Sequence, residues 1–303
     1  MFTIRQFRYF EALAETLHFG RAAKRLNISQ PALSAQIAQM ETDFGTALFE
    51  RRPNGVSMTA EGDTVARRVR RILAEVRDLE ALARASDELL VGQLRLGIIA
   101  SLAPYLLPGL LAELSRSFPR LAVGVRENVT AQLADELARG ELDCVVQALP
   151  VERKGVETMP LGVDPFLLAV PEASAARIPV PVAPERLEGE RLILLEEGHC
   201  LRDQALDVCR IAESRDLATL GATSLNTLMR MVAGGLGVTL VPQCAVAAEG
   251  RAGGIAFLPF REPAPERTLV LAFRSSSGRR SDFERLAELM RACLAEAQAP
   301  KPG

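Results

Sequence analysis

The chain has 303 residues, 48% apolar and 24% charged, with a formal net charge of −2, five cysteines and two histidines. This composition excludes a disordered chain, and an odd, sparse cysteine count excludes a disulfide-scaffolded secreted domain. What remains is a protein of two or three globular domains with mostly free thiols, and too few histidines for most metal sites.

The opening segment MFTIRQFRYFEAL carries charges through its apolar positions. It reads as an amphipathic helix and not as a secretory leader, so the chain is expected to be cytoplasmic. Charge is unevenly spread. Residues 1–71 hold 11 Lys/Arg against 7 Asp/Glu, and the remainder holds 25 against 31. The basic N-terminal part is the candidate for a phosphate partner.

Residues 4–15 place Ile4, Phe7, Phe10, Ala14 and Leu17 on a helical stripe. In HFGRAAKRLNISQPALSAQIAQME, Ala22, Ala23 and Leu26 mark the inner face of a short second helix. Asn27-Ile28 makes a turn, Ser29 is the N-cap of a third helix, and Pro31 suits its first turn. Leu33, Ile37 and Met40 form that helix's buried stripe. Two helices crossing closely through a brief turn are a helix-turn-helix. Ser29, Gln30, Pro31, Ser34 and Gln36 or Gln39 then offer uncharged hydrogen-bonding groups to base edges. The plainer reading is a three-helix bundle with a solvated polar face.

ALFERRPNGVSMTAEG follows, with Pro53-Asn54-Gly55 as a turn between two short strands and Arg51 and Arg52 at its edge. This reads as a wing whose arginines meet DNA phosphate or the minor groove. Thr59 caps a long helix in which Val65, Val69, Ile72, Val76, Leu79 and Ala83 alternate four and three apart. Such a seam pairs with a copy of itself, giving a dimer; packing on its own domain is the alternative.

These residues, from Phe7 and Phe10 through the long helix, resemble the LysR-type transcriptional regulators. The resemblance implies a winged helix-turn-helix (1–62), a linker helix that dimerises (59–89) and a regulatory domain (90–303). That domain would comprise two α/β subdomains of periplasmic-binding-protein type, one from 93–164 with 269–303, the other 165–268.

The residues themselves agree with an α/β class there, because strands and helices alternate: strands 92–100, 121–126, 143–148, 166–170, 192–195, 237–241 and 268–273, and helices 104–118, 130–139, 201–212, 224–232 and 282–297. This pattern predicts largely parallel sheets, with a Pro/Ala-rich loop over 171–185. No nucleophile elbow, P-loop or C-x-x-C is present, so the chain is not read as an enzyme, and no cofactor or metal is expected.

EEGHCLRDQALDVC is the segment that carries chemistry. If 201–212 is helical, Cys200 lies at its N-terminal end, where free N–H groups favour a thiolate. His199 and Arg202 are neighbours that could add positive charge. A thiolate there attacks a peroxide O–O bond to give a sulfenic acid, and a second thiol resolves it, with Cys209 the candidate. Nine helical positions put the two Cα atoms about 13–14 Å apart, whereas a disulfide spans at most about 7 Å. Joining them requires the helix to unwind, which makes a switch. Spacing alone equally allows all five cysteines to be small buried hydrophobes, with Cys144 in a strand, Cys293 in a helix and Cys244 unassigned.

GHCLRDQ followed by Cys209 resembles the redox segment of the hydrogen-peroxide-sensing OxyR branch of the LysR-type family. So do PYLLP, GELDCVVQAL, ATSLNTLMRMVAGGLGVTLVP and Arg267. The resemblance implies that Cys200 is peroxidatic and Cys209 resolving, and that Ser101, Thr130, His199, Arg202, Asp203 and Arg267 form the effector pocket. Ser101 falls where threonine is usual in that branch, keeping the hydroxyl and losing a methyl. Taken alone, Thr130 could equally cap the helix it opens, and Ser101 could bond locally. The partners implied are double-stranded DNA, hydrogen peroxide, further copies of the chain as dimer or tetramer, and RNA polymerase at antioxidant genes; no membrane is involved. The alternative within the family is a regulator whose inter-subdomain cleft binds a small metabolite, with structural cysteines.

Overall fold

The computed structural model describes residues 2–52, 55–83, 89–151, 153–187, 190–211 and 217–299. The chain divides into two compact units, the first mainly residues 1–85 and the second mainly residues 86–303.

In the first unit, α1 (Ile4–Thr16) opens on a capping box: the Thr3 hydroxyl accepts from the Gln6 N–H at 3.2 Å, and Gln6 Oε1 accepts from the Thr3 N–H at 3.0 Å. Its buried face is Tyr9, Phe10, Leu13 and Ala14. Ile4 and Leu17, which the stripe would bury, are 39% and 40% exposed. Ile4 opens the helix, and Leu17 ends it in the left-handed region (φ 47°), so neither follows the helical face inward.

Next come α2 (Phe19–Arg25) and α3 (Gln30–Phe44), joined through Asn27, whose φ of 53° an asparagine tolerates. Ala22 and Ala23 are buried, as close helix crossing requires, and Leu33, Ile37 and Met40 form the buried stripe of α3. Ser29 Oγ accepts from the Ala32 N–H at 3.3 Å.

The wing is the antiparallel pair β1 (Phe49–Arg52) and β2 (Gly55–Met58). Glu41 of α3 holds its root, Oε1 accepting from the N–H groups of Leu48 and Phe49 at 2.8 and 3.0 Å. Thr59 caps α4 (Ala60–Ala83), accepting from the Gly62 N–H at 2.9 Å. The expected self-pairing seam divides. Val69 joins Ala66 and Leu73 in this unit's own core, while Ile72 and Leu79 stay 39% and 66% exposed. Pro53, Asn54, the side chains of Arg51 and Arg52, and residues 84–88 of the expected linker helix lie outside the described residues.

In the second unit, β3 (Gly92–Ile99), α5 (Ala103–Ser117), β4 (Leu121–Asn128), α6 (Thr130–Ala138) and β5 (Cys144–Ala148) begin the sheet, with β3 parallel to both β4 and β5. Then come β6 (Val156–Pro171), α7 (Glu172–Ala175), β7 (Leu192–Leu195), α8 (Cys200–Ile211), β8 (Leu217–Ala222), α9 (Leu225–Ala233), β9 (Thr239–Pro242), α10 (Gln243–Glu249), β10 (Ile255–Pro259), β11 (Glu266–Arg274) and α11 (Arg280–Gln298). The sheet order is β10-β6-β11-β5-β3-β4, with β9 also on β6, and β7 pairs with β8 in parallel.

The sheets are therefore mixed and not largely parallel. The chain leaves the first core along β6 and returns along β11, and an outgoing strand paired with a returning one must be antiparallel. Two hydrophobic cores result. One gathers β3, α5, β5 and α11 and extends to Leu161; the other begins at Phe166 and gathers β7, α8, α9 and β9. Asp164 and Arg267, register partners on β6 and β11, stand between them. The Pro/Ala-rich stretch contains the short α7 and a 3₁₀ turn at Pro184–Leu187. The sequence reading missed β8, α10, β10 and the first half of β6.

Candidate functional site

Gly198 takes φ 92°, a left-handed turn that favours glycine, and this brings the chain from β7 into the first turn of α8 at Cys200. A Cβ added at Gly198 would lie 3.7 Å from the Val129 side chain, so this turn rests beside the start of α6. Leu201, Ala205 and Val208 are the buried stripe of α8 in the second core, while Cys200 is half-buried and packs against the first. The thiol thus sits at the seam of the two cores, at the N-terminus of α8.

The cation that faces this seam is Arg267. Its side chain and that of Asp164 are both fully buried, joined by Nε and Nη2 to Oδ2 at 3.0 and 2.9 Å. Asp164 Oδ1 accepts from the Cys244 N–H at 3.0 Å and from Gln298 Nε2 at 3.1 Å. Arg267 Nη1 donates to Ser101 Oγ at 2.9 Å, and Nη2 reaches the Ser101 carbonyl at 3.4 Å and Cys244 Sγ at 3.7 Å. Burial works against the guanidinium charge, but Asp164, then Cys244 and Cys200, favour it and hold its pKa above the ordinary value. Ser101, 3% exposed, is therefore oriented by a fixed positive charge. Cys244, unassigned from sequence, lies in the first turn of α10 inside this cluster; burial pushes its thiol up, with Arg267 opposing.

Thr130 does not cap α6. Its Oγ1 is buried and makes no hydrogen bond among the described residues. His199 precedes Cys200, and burial lowers its pKa against the smaller opposing pull of Glu196. It therefore supplies no cation beside the thiol. Arg202 donates Nη1 to the Leu195 carbonyl at 2.9 Å. Asp203 is exposed, because it lies two residues, about 200°, round the helix from buried Leu201. Of the six expected pocket residues, then, Ser101 and Arg267 touch, Thr130 and His199 flank the turn, Arg202 bonds the Leu195 carbonyl, and Asp203 is exposed. Cys209 lies on the unbroken backbone of α8, and its side chain is outside the described residues.

Next to His199 and Ser101 opens a cleft of about 180 Å³, also lined by Tyr105, Ser224, Asn226 and Glu249. Glu249 is 6% exposed, and its carboxylate accepts from the Tyr105 hydroxyl at 2.7 Å and from Asn226 Nδ2 at 3.3 Å. Burial, then Glu249, pushes the Tyr105 phenol far up, so it stays a donor.

In the first unit, Gln30, Pro31 and Ser34 line one groove of about 650 Å³ with His18, Gly20 and the start of β2 at Gly55 and Val56. This gathers the expected reading residues beside the wing, while exposed Ser29 is occupied as the α3 cap. Gln39 is engaged with Asp43 at 2.8 Å, which leaves Gln36 as the freer of the two glutamines considered. The sequence reading missed His18. Its Nδ1 caps α2, accepting from the N–H groups of Gly20 and Arg21 at 3.1 and 3.3 Å. The available signal was its place just before the second helix. Among the described residues no group of three or more His, Cys, Asp or Glu could hold a metal, and no helix is long and apolar enough to cross a membrane.

Residues 4–63 match the model of the bacterial regulatory helix-turn-helix proteins of the lysR family, and residues 87–295 match the LysR substrate binding domain. The DNA-binding transcriptional dual regulator OxyR of Escherichia coli K12 is 42% identical over 291 residues, 95% of each chain. Among solved structures, a full-length OxyR from Pseudomonas aeruginosa with a cysteine-to-aspartate substitution superposes with a TM-score of 0.80 at 36% identity, covering 97% of this chain and 99% of that one. A cysteine-to-serine mutant of OxyR from Corynebacterium glutamicum, with hydrogen peroxide bound, gives 0.69 at 34% identity over 98% and 94%.

Proposed function

This chain belongs to the LysR family of bacterial DNA-binding regulators and to its OxyR branch, and from that premise we propose that it converts oxidation of Cys200 by hydrogen peroxide into altered promoter contacts. The observation that carries the reading is Cys200 itself: a half-buried thiol opening α8, at the seam of two cores, near a buried guanidinium and an unpartnered threonine hydroxyl. The Cys200 thiolate attacks one peroxide oxygen. An S–O bond forms as the O–O bond breaks, and the leaving hydroxide takes a proton to become water. In this reading Ser101 and Thr130 bind the peroxide and pass that proton, since a hydroxyl both donates and accepts; the Arg267 bond to Ser101 and the unsatisfied Thr130 Oγ1 support it. The Cys209 thiol then displaces water from the sulfenic acid, forming the disulfide.

With α8 intact the two Cα atoms stand about 13–14 Å apart, beyond the roughly 7 Å a disulfide tolerates. Closing the bond therefore unwinds α8, and loss of its buried stripe repacks the second core. We assign DNA reading to Ser29, Gln30, Pro31 and Ser34 with Arg51 and Arg52 on phosphate. Ile72 and Leu79 of α4 are apolar and exposed, which supports self-association through that helix, as a dimer or a tetramer. A cytoplasmic regulator that recruits RNA polymerase to antioxidant genes, with no enzymatic turnover of its own, completes the proposal.

The test is direct. Trypsin cutting after Arg191, Arg202 and Arg210 should yield, from peroxide-treated unreduced protein, peptide 192–202 joined to 203–210. Cys200→Ser should keep DNA binding and lose the peroxide response. Free thiols on both peptides after mild peroxide would overturn the reading. A response to small organic acids with no response to peroxide would favour a metabolite in the cleft beside Tyr105 and Glu249.

A further inference from the structure

We propose that His18 is a DNA contact, donating from Nε2–H to a backbone phosphate with the same ring that caps α2. The proposal rests on the reading of the first unit as the DNA-binding one.

The tautomer follows from the cap. Nδ1 accepts two backbone N–H groups, from Gly20 and Arg21, so its lone pair is occupied and it carries no proton. The ring proton is then on Nε2. That N–H makes no hydrogen bond among the described residues, and His18 is exposed. Its position is fixed by its neighbours. A Cβ added at Gly20 would stand 3.1 Å from His18 Cε1 and 3.4 Å from Gln30 Oε1, so ring and amide close together over a glycine that leaves them room.

His18 lines the groove together with Gln30, Pro31 and Ser34. In a helix-turn-helix the first helix of the motif crosses the sugar–phosphate backbone while the second enters the major groove. The helix that meets phosphate here is α2, and its start presents the imidazole. The helix end itself is not the ligand site, because two of its N–H groups are already taken by the ring. Capping leaves the ring a single orientation, so little freedom is lost when the contact forms.

Serine caps a helix as well as most residues do but cannot extend a donor as far as Nε2. His18→Ser should therefore melt like the parent and bind DNA more weakly. A hydrogen bond to a charged acceptor contributes about 1.5–3 kcal/mol, so the loss is about tenfold or more in Kd. The measurement is fluorescence anisotropy of the full-length reduced protein on two short, labelled duplexes of unrelated sequence. Both should weaken by a similar factor, because phosphate is common to all sequences. If the parent binds neither duplex, the DNA-binding reading fails and this proposal with it. If the parent binds and His18→Ser binds equally, the proposal alone is overturned. Loss on one duplex only would make His18 a base contact and also overturn it. Should His18→Ser melt early, the parent's histidine ring NMR signals decide: with only His18 and His199 present, the duplex should shift those of His18, and unmoved His18 signals refute the contact.

Discussion

Replacing Asp164 by alanine removes the carboxylate bonded to Arg267, whose side chain is fully buried. The guanidinium keeps its bonds to Ser101 Oγ and carbonyl, but both contacts to Asp164 Oδ2 vanish, and the Cys244 N–H loses its acceptor. A buried charge stripped of its partner costs about 3–5 kcal/mol. For a unit of this size each kcal/mol moves Tm by about 2–4 °C, so the reduced protein should melt about 6–20 °C lower. The assay is calorimetry at neutral pH with reductant, on the parent, Asp164→Ala, and the double variant Asp164→Leu with Arg267→Met. The double variant removes both charges and should recover most of the lost stability. It should not recover peroxide reactivity, because Ser101 has lost the donor that orients it. A drop of under about 1 kcal/mol for Asp164→Ala would match an exposed pair. It would mean that the guanidinium is hydrated, and the account of a fixed charge behind Ser101 would be wrong.

Thr130→Val swaps an unpartnered buried hydroxyl for a methyl of the same shape. Stability should hold or rise by about 1 kcal/mol, since an unsatisfied polar group is removed, while the rate of Cys200 oxidation falls in stopped-flow mixing with peroxide. A clear stability loss would show that the hydroxyl is satisfied after all. Burial lowers the His199 pKa, so as pH falls the unfolded imidazole takes its proton first. Its contribution to stability is complete above about pH 6.5 and is lost as pH falls from there toward the lower folded value. His199→Gln should flatten that part of a Tm-against-pH curve, and an unchanged slope would refute the assignment. Burial, and next Asp143, push the Cys144 thiol up, and burial does the same for Cys244. Brief iodoacetamide treatment of the folded reduced protein should label Cys200 and spare both, and mass spectrometry showing equal labelling would contradict this.

What was legible in the sequence was what is local. The Ser29 cap, the Leu33-Ile37-Met40 stripe and the start of α8 at Cys200 each depend on a few neighbouring residues, and the structure has all three. The first half of β6 was hidden because Pro160, Gly162 and Pro165 read as breakers. The sheet absorbs Pro160 and Gly162 at a register shift opposite Leu269 and Val270. Asp164 carried no signal, since its role appears only when β6 pairs with β11, 103 positions away. Arg202 was grouped with the thiol as a sequence neighbour and through the family resemblance, Asp203 through the resemblance alone. The helical spacing of Leu201, Ala205 and Val208 already turned Asp203 outward, and Arg202 found a carbonyl on the preceding strand. His18 was missed for the opposite reason: a lone histidine before a helix looks like any polar cap until it is found lining the groove with Gln30 and Ser34.

On the proposed redox reading, a bond between Cys200 and Cys209 cannot close while α8 stands. Hydrogen–deuterium exchange over residues 201–211, measured on the same sample before and after stoichiometric peroxide, tests it most directly, with the disulfide verified by peptide mapping. The account predicts protected amides in the reduced protein and loss of that protection once the bond has formed. A verified Cys200–Cys209 disulfide with α8 still protected would contradict it.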